Sequence, residues 1–167
     1  MAKKSQTILH PTKNPGNENL RVAMIELLQK HLGTAIDLSY AAKQAHWNVK
    51  GKNFMSVHLL FDRLHNEVET YVDSIAERLT ALGGQAHGTV QAASQNTILT
   101  PYPLDLVDSM GHLKQLADHF ARWSATLREA ISESDEAGDA LTADLFTNIG
   151  RNVEQSLYFL ESHFQTK

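Results

Sequence analysis

Apolar residues recur at helical spacing in four long stretches of this chain, and small or polar residues mark where each stretch stops. Leu20, Met24, Leu27, Leu28, Leu32, Ala35 and Ile36 open the first, which extends from a cap at Asn17 or Asn19 to about Val49 before Gly51 ends it. The second covers residues 54–82 and stops at Gly83-Gly84. Its apolar stripe, made by Val57, Leu60, Phe61, Leu64, Val68, Val72, Ile75, Leu79 and Leu82, has the width expected of a helix packed on a core. Residues 85–103 are small and polar, with room for one short helical turn before Pro101 and Pro103. A third helix is expected over 104–134, with Leu106, Met110, Leu113, Leu116, Phe120, Trp123 and Leu127 facing inward. A fourth is expected over 139–164 through Leu141, Leu145, Ile149, Val153, Leu157 and Leu160. Pro11, Pro15 and Gly16 keep the start irregular, so residues 1–16 read as a flexible tail and 17–167 as one domain.

The connection between helices two and three is too long for a tight hairpin, yet extended it could cross the whole bundle, so those two helices can run parallel. An all-α bundle of four helices with one long central crossover is the ferritin-like arrangement. With 167 residues, 42% of them apolar, the chain can bury one sizeable core and is too short for two. It has no cysteine, which removes disulfides, thiolate metal sites and thiol catalysis and is compatible with a reducing cytosol. No apolar run approaches a membrane span, and the first residues lack the apolar segment of a secretory signal. The expectation is a soluble, cytoplasmic protein with no membrane contact.

The second helix carries more than its core stripe. At about 100° per residue, with His58 as origin, Asp62 falls near ~40°, Asp73 near ~60° and Glu77 near ~100°, whereas the apolar stripe lies between roughly 200° and 320°. The imidazole and carboxylates therefore avoid the chain's own core, and His46 lies twelve residues upstream of His58. About 16 Å of helical rise separates Asp62 from Asp73, several times the reach of any bond to one metal ion. One helix cannot close such a site alone. A second copy packed antiparallel about a two-fold axis near residues 66–68 would bring His58 and Asp62 of one chain to Asp73 and Glu77 of the other, twice per dimer. Mixed imidazole and carboxylate ligands without thiolate suit iron, manganese or zinc. An internal di-metal oxygenase centre would need Glu-x-x-His motifs, and none is present; Asp62-x-x-His65 is single.

Beyond these patterns, the run Asp37-Leu38-Ser39, Lys43-Gln44-Ala45-His46-Trp47-Asn48-Val49-x-Gly51-x-x-Phe54, then His58-x-x-x-Asp62 and Asp73-x-x-Ala76-Glu77-Arg78, closely resembles the Dps family, the DNA-protection-during-starvation proteins of the ferritin-like superfamily. Leu82-Gly83-Gly84, Tyr102-Pro103, Ser134-Asp135-Glu136-Ala137-Gly138-Asp139 and Thr142-Ala143-Asp144 extend the resemblance along the whole chain. The resemblance implies a homododecameric shell that oxidises Fe(II) with hydrogen peroxide and stores the Fe(III) mineral. It assigns the ferroxidase ligands to His46, His58 and Asp62 of one subunit with Asp73 and Glu77 of its two-fold mate. It places Trp47 beside that site, either intercepting oxidising equivalents or packing at the interface. It also implies an acidic three-fold pore, for which Asp139 and Asp144 are candidates; Asp139 reads equally well as a helix cap, and Asn152 stands where the family often has Asp.

Non-specific DNA binding is the family's second activity. Here Lys3, Lys4 and Lys13 in the tail could supply it by multivalency, against a formal net charge of -4. The alternative function is thus a mainly structural nucleoid protein whose ferroxidase work is secondary. Asp108 and His112 form one more pair a turn apart, with His119 beyond; these read as surface or core histidines. His10, His31, His65, His87 and His163 have no assigned role, and Glu69, on the interface stripe, could face mineral or a subunit neighbour.

Overall fold

The computed structural model describes residues 9–165. Among the described residues five helices form: α1 Glu18–Asn48, α2 Phe54–Ala81, α3 Val90–Asn96, α4 Ser109–Glu136 and α5 Ala140–Glu161. Among the described residues the only extended pairing is an isolated bridge between Lys50 and Asp108. The caps follow from side chains that can accept from orphan N–H groups. Asn17 accepts from Leu20 N at 2.9 Å, Asp108 from Gly111 N at 2.8 Å, and Asp139 from Thr142 N at 3.2 Å. Gly83 ends α2 at φ +90°, and an added Cβ there would meet the His10 carbonyl oxygen at 2.8 Å.

Two hairpins, α1 with α2 and α4 with α5, make the four-helix bundle. The crossover leaves at the end of α2, where Arg21 Nη1 donates to the Leu82 carbonyl at 3.1 Å. It returns at the opposite end, where Lys50 N donates to the Val107 carbonyl at 2.9 Å. It therefore spans the bundle, and α4 runs parallel to α2 as the crossover length predicts. α3 is the expected short turn within it. It packs on α1 at Gly33, where a Cβ would meet the Asn96 Cβ at 2.7 Å, so only glycine permits that approach.

Two sequence expectations are corrected. The third helix starts at Ser109, not at 104, because Asp108 caps it; Leu104 stands before it, 77% exposed. Met110 and Leu141 face solvent instead of the core. Each lies in the first turn after its cap, and the buried positions of the two helices begin only at His112 and Thr142. Of the expected tail, residues 1–8, with Lys3 and Lys4, lie outside the described residues. His10 N donates to the Gly83 carbonyl at 2.7 Å and the Gly16 carbonyl accepts from Arg21 Nε at 3.2 Å, so the stretch ahead of α1 runs against the end of α2.

The core is built from Leu28, Leu32, Leu38, Phe61, Leu64, Ile75, Leu79, Phe120, Trp123 and Phe146, all fully buried, each contributing about 1.5–3 kcal/mol by removal from water. His31, His112 and His119 are buried among them. Trp123 Nε1 donates to His31 Nδ1 at 3.1 Å, and the His31 ring lies tilted 4.7 Å from Phe146. His112 Nδ1 meets the Tyr102 hydroxyl at 2.7 Å. Burial, reinforced by Lys30, depresses His31 to about 3. Burial lowers His112 and His119 too, partly offset by nearby acids and carbonyls. The unfolded histidine binds its proton near 6.5, so His31's contribution is complete above that pH and is lost as pH falls towards about 3. The loss should reach roughly 3 kcal/mol by pH 4. Urea unfolding should show the midpoint dropping across that window, and His31→Gln, which keeps an acceptor for Trp123 but cannot ionise, should flatten the drop. Equal drops in both proteins would place the acid sensitivity elsewhere.

Candidate metal centre

The turn of residues 49–53 brings the last turn of α1 against the second turn of α2, and there His46 and His58 lock each other. His46 Nδ1 lies 2.8 Å from the His58 carbonyl oxygen, and His58 Nδ1 lies 2.8 Å from the His46 carbonyl oxygen. A carbonyl only accepts, so both Nδ1 atoms carry protons and Nε2 is the nitrogen of each ring that can offer a lone pair. The rings stack at 3.7 Å with 21° between planes, and Phe54 covers the other side of His58 at 4.8 Å. The two imidazoles are oriented as metal ligands are, by a hydrogen bond on the opposite nitrogen.

Asp62 follows one turn after His58. Its Oδ1 lies 4.0 Å from His46 Nδ1 and is engaged by the Lys43 ammonium. The hydrogen bond from Lys43 draws the Asp62 carboxyl below its ordinary range against a small opposing effect of burial, and the charges of Lys43, His46 and His65 add to it. Asp62 thus lies beside His46, one helical turn from His58. Asp73 and Glu77 do not join them: both stand exposed farther along α2, about 16 Å of rise beyond Asp62 for the nearer one. Among the described residues of one chain, no three histidine, aspartate or glutamate side chains form a group able to hold a metal ion.

A ferritin-like domain model matches residues 25–167. The DNA protection during starvation protein of Agrobacterium fabrum is 43% identical over 158 residues, covering 95% of this chain and 98% of that protein. The chain belongs to the ferritin-like Dps family. Among solved structures, Mycobacterium smegmatis Dps in its tetragonal form superposes with a TM-score of 0.90 at 27% identity, covering 95% of this chain and 96% of that one. Dps from Microbacterium arborescens in the high iron form superposes at 0.85 with 28% identity, covering 94% and 100%.

Other positions singled out by the Dps resemblance divide clearly. Trp47 is 62% exposed beside His46, so it does not serve the chain's own core. Asp139 is buried: it caps α5, takes Arg78 Nη2 on both oxygens at 2.7 and 2.9 Å, and accepts from the Thr142 hydroxyl at 2.6 Å. Burial pushes its carboxyl up, and the hydrogen bonds from Thr142 and Arg78 outweigh that to leave it lowered. Its oxygens are occupied within the chain, which favours the cap over the pore; Asp144 is exposed on α5. Asn152 lies within hydrogen-bonding reach of the Tyr71 hydroxyl. The Asp108 and His112 pair resolves into a cap and a core histidine.

Lys43 escaped sequence reasoning as a site residue. Its signal was the Lys43-x-x-His46 spacing, which puts the ammonium one turn below the imidazole on the same face of α1. An ammonium on Asp62 competes with any metal cation for that carboxylate. The pair is partly solvated, with side chains 22% and 36% exposed, so Lys43→Met should tighten Zn(II) binding at this corner by roughly five- to tenfold. Calorimetric titration of the assembled protein checks this; weaker binding would show that Lys43 instead holds Asp62 in its ligating position.

Proposed function

We propose that two copies of this chain pair through α2 and oxidise Fe(II) with hydrogen peroxide at two equivalent sites. Each site is made by His46, His58 and Asp62 of one copy with Asp73 and Glu77 of the other. The observation that carries this reading is the reciprocal lock of His46 and His58, which ties both Nδ1 atoms to backbone and leaves each Nε2 out of those hydrogen bonds, one turn from Asp62 on a flank of α2 that avoids the chain's own core. Antiparallel pairing that sets Asp62 against the partner's Asp73 also sets His58 against the partner's Glu77, with the axis between Glu67 and Val68 in both cases. That one register satisfies both ligand pairs.

Iron is the substrate. The imidazoles bind Fe(II) without adding charge, and the carboxylates stabilise the higher charge of Fe(III). Two Fe(II) ions each give one electron to hydrogen peroxide, whose O–O bond breaks to yield two hydroxide ions or, with protons, two waters. Removing both reactants together suppresses hydroxyl-radical formation, which protects DNA chemically whether or not the protein touches it. Storage of the ferric product inside a homododecameric shell, entry of Fe(II) past carboxylates such as Asp144, and interception of stray oxidising equivalents by exposed Trp47 complete the reading. The cytoplasm, where the nucleoid lies, is the compartment it fits. Lys13 is exposed ahead of α1 and is the described part of the proposed DNA contact with Lys3 and Lys4, which would be sequence-independent and salt-sensitive.

Stopped-flow mixing of Fe(II) and peroxide tests the ligand set. His46→Ala with Asp73→Ala should slow the initial oxidation by about tenfold or more while light scattering shows an unchanged assembly. An unchanged rate would overturn the assignment.

A further inference from the structure

His65 and Glu69 sit on α2 between the two ligand pairs. With His58 as origin they fall near about -20° and about 20°, on the same flank. One residue of α1 holds both. His65 Nδ1 lies 3.1 Å from the Ser39 carbonyl oxygen and 2.7 Å from its hydroxyl oxygen. The carbonyl only accepts, so Nδ1 carries the proton and Nε2 is the nitrogen that can offer a lone pair to a cation. The Ser39 hydroxyl donates in turn to Glu69 Oε1. Glu69 Oε2 has no hydrogen bond among the described residues and the side chain is exposed. Tyr40 packs edge-on against the His65 ring at 6.3 Å. The device repeats that of His46 and His58: a proton tied to backbone at Nδ1, a free lone pair opposite, a carboxylate beside it.

We propose that His65 and Glu69 of two copies form a separate metal site on the two-fold axis, taking Zn(II) or a similar first-row divalent cation through two imidazoles and two carboxylates. This rests on the pairing of α2 helices put forward above. With the axis between Glu67 and Val68, His65 lies within about 4 Å of it along the helix and Glu69 within about 2 Å. His65 is then level with the partner's Glu69 to within about 1.5 Å of rise. Packed helices lie about 8–10 Å apart, a gap that imidazole and glutamate side chains from both sides can span. Without a cation, two carboxylates would meet at the axis of a closed interface, a costly placement for like charges. Four nitrogen and oxygen donors without thiolate make a closed tetrahedral set, the arrangement of a structural zinc site. The ion would pin the two subunits and need take no part in iron oxidation.

Cobalt(II) serves as the probe, because tetrahedral coordination gives it strong visible absorption. Metal-free assembled protein should retain one cobalt per pair of chains beyond those of the two shared sites. That extra ion, with its visible bands, should persist in His58→Ala with Asp73→Ala and vanish in His65→Ala with Glu69→Gln. Ser39→Ala should weaken it by about tenfold or more. An unchanged cobalt count in His65→Ala with Glu69→Gln overturns the axial site. So does a wild-type protein that oxidises Fe(II) normally yet holds no axial cobalt, which would mean that His65 and Glu69 only pair across the interface; that result leaves the shared-site reading intact. A monomer by native mass spectrometry overturns both.

Discussion

Two hydrogen bonds, each from an imidazole Nδ1 to the other histidine's backbone carbonyl, hold the corner on which the proposed chemistry depends. They require α1 to end and α2 to begin within a turn of residues 49–53, and they require the two rings to stack. The His46 carbonyl lies in the last turn of α1, where no further N–H follows in the helix to satisfy it, so the lock also answers an orphan acceptor. Stability and ligand orientation come from the same contacts. Losing either imidazole therefore frees a carbonyl as well as removing a donor atom.

α2 serves two masters through its periodicity. One stripe buries Val57, Phe61, Leu64, Val68, Ile75 and Leu79, and the opposite flank carries every carboxylate of the candidate sites. Its far end is fixed by Arg78, whose guanidinium reaches Asp139 at the turn between α4 and α5 and Thr142 on α5. Glu77 is the neighbouring residue, so a buried ion pair sets the position of an exposed one. Breaking a buried pair by removing one partner commonly costs about 3–5 kcal/mol. The ligand-bearing helix is thus anchored at both ends, by the histidine lock and by this pair.

The helices, the crossover and the polar flank of α2 were legible because each follows from a repeat of side-chain type along the chain. The start of α4 was not, since Leu104 and Leu106 continue an apolar pattern that only the Asp108 cap interrupts. Met110 and Leu141 misled in the same way: periodicity assigns a face and is silent on where the core begins along the axis. His112 and His119 read as surface or core histidines and are core, but the sequence could not choose between the two, or place His31, because their partners, Tyr102, Gln115 and Trp123, are set by packing between or along helices. Lys43 and Ser39 went unassigned for a related reason. Their roles lie in contacts between α1 and α2; spacing on α1 puts Lys43 beside His46 but does not show that it meets Asp62, nor that Ser39 meets His65 and Glu69.

The sharing of one site between two chains is tested most directly by complementation. One chain carries His46→Ala with Asp62→Ala and the other Asp73→Ala with Glu77→Ala, so each alone lacks a half of every site. Unfolded together and reassembled, random pairing should restore about a quarter of the wild-type sites and a similar share of peroxide-driven Fe(II) oxidation, because each mixed pair contains one intact combination. No recovery in mixed shells of normal size would contradict a site built from two copies.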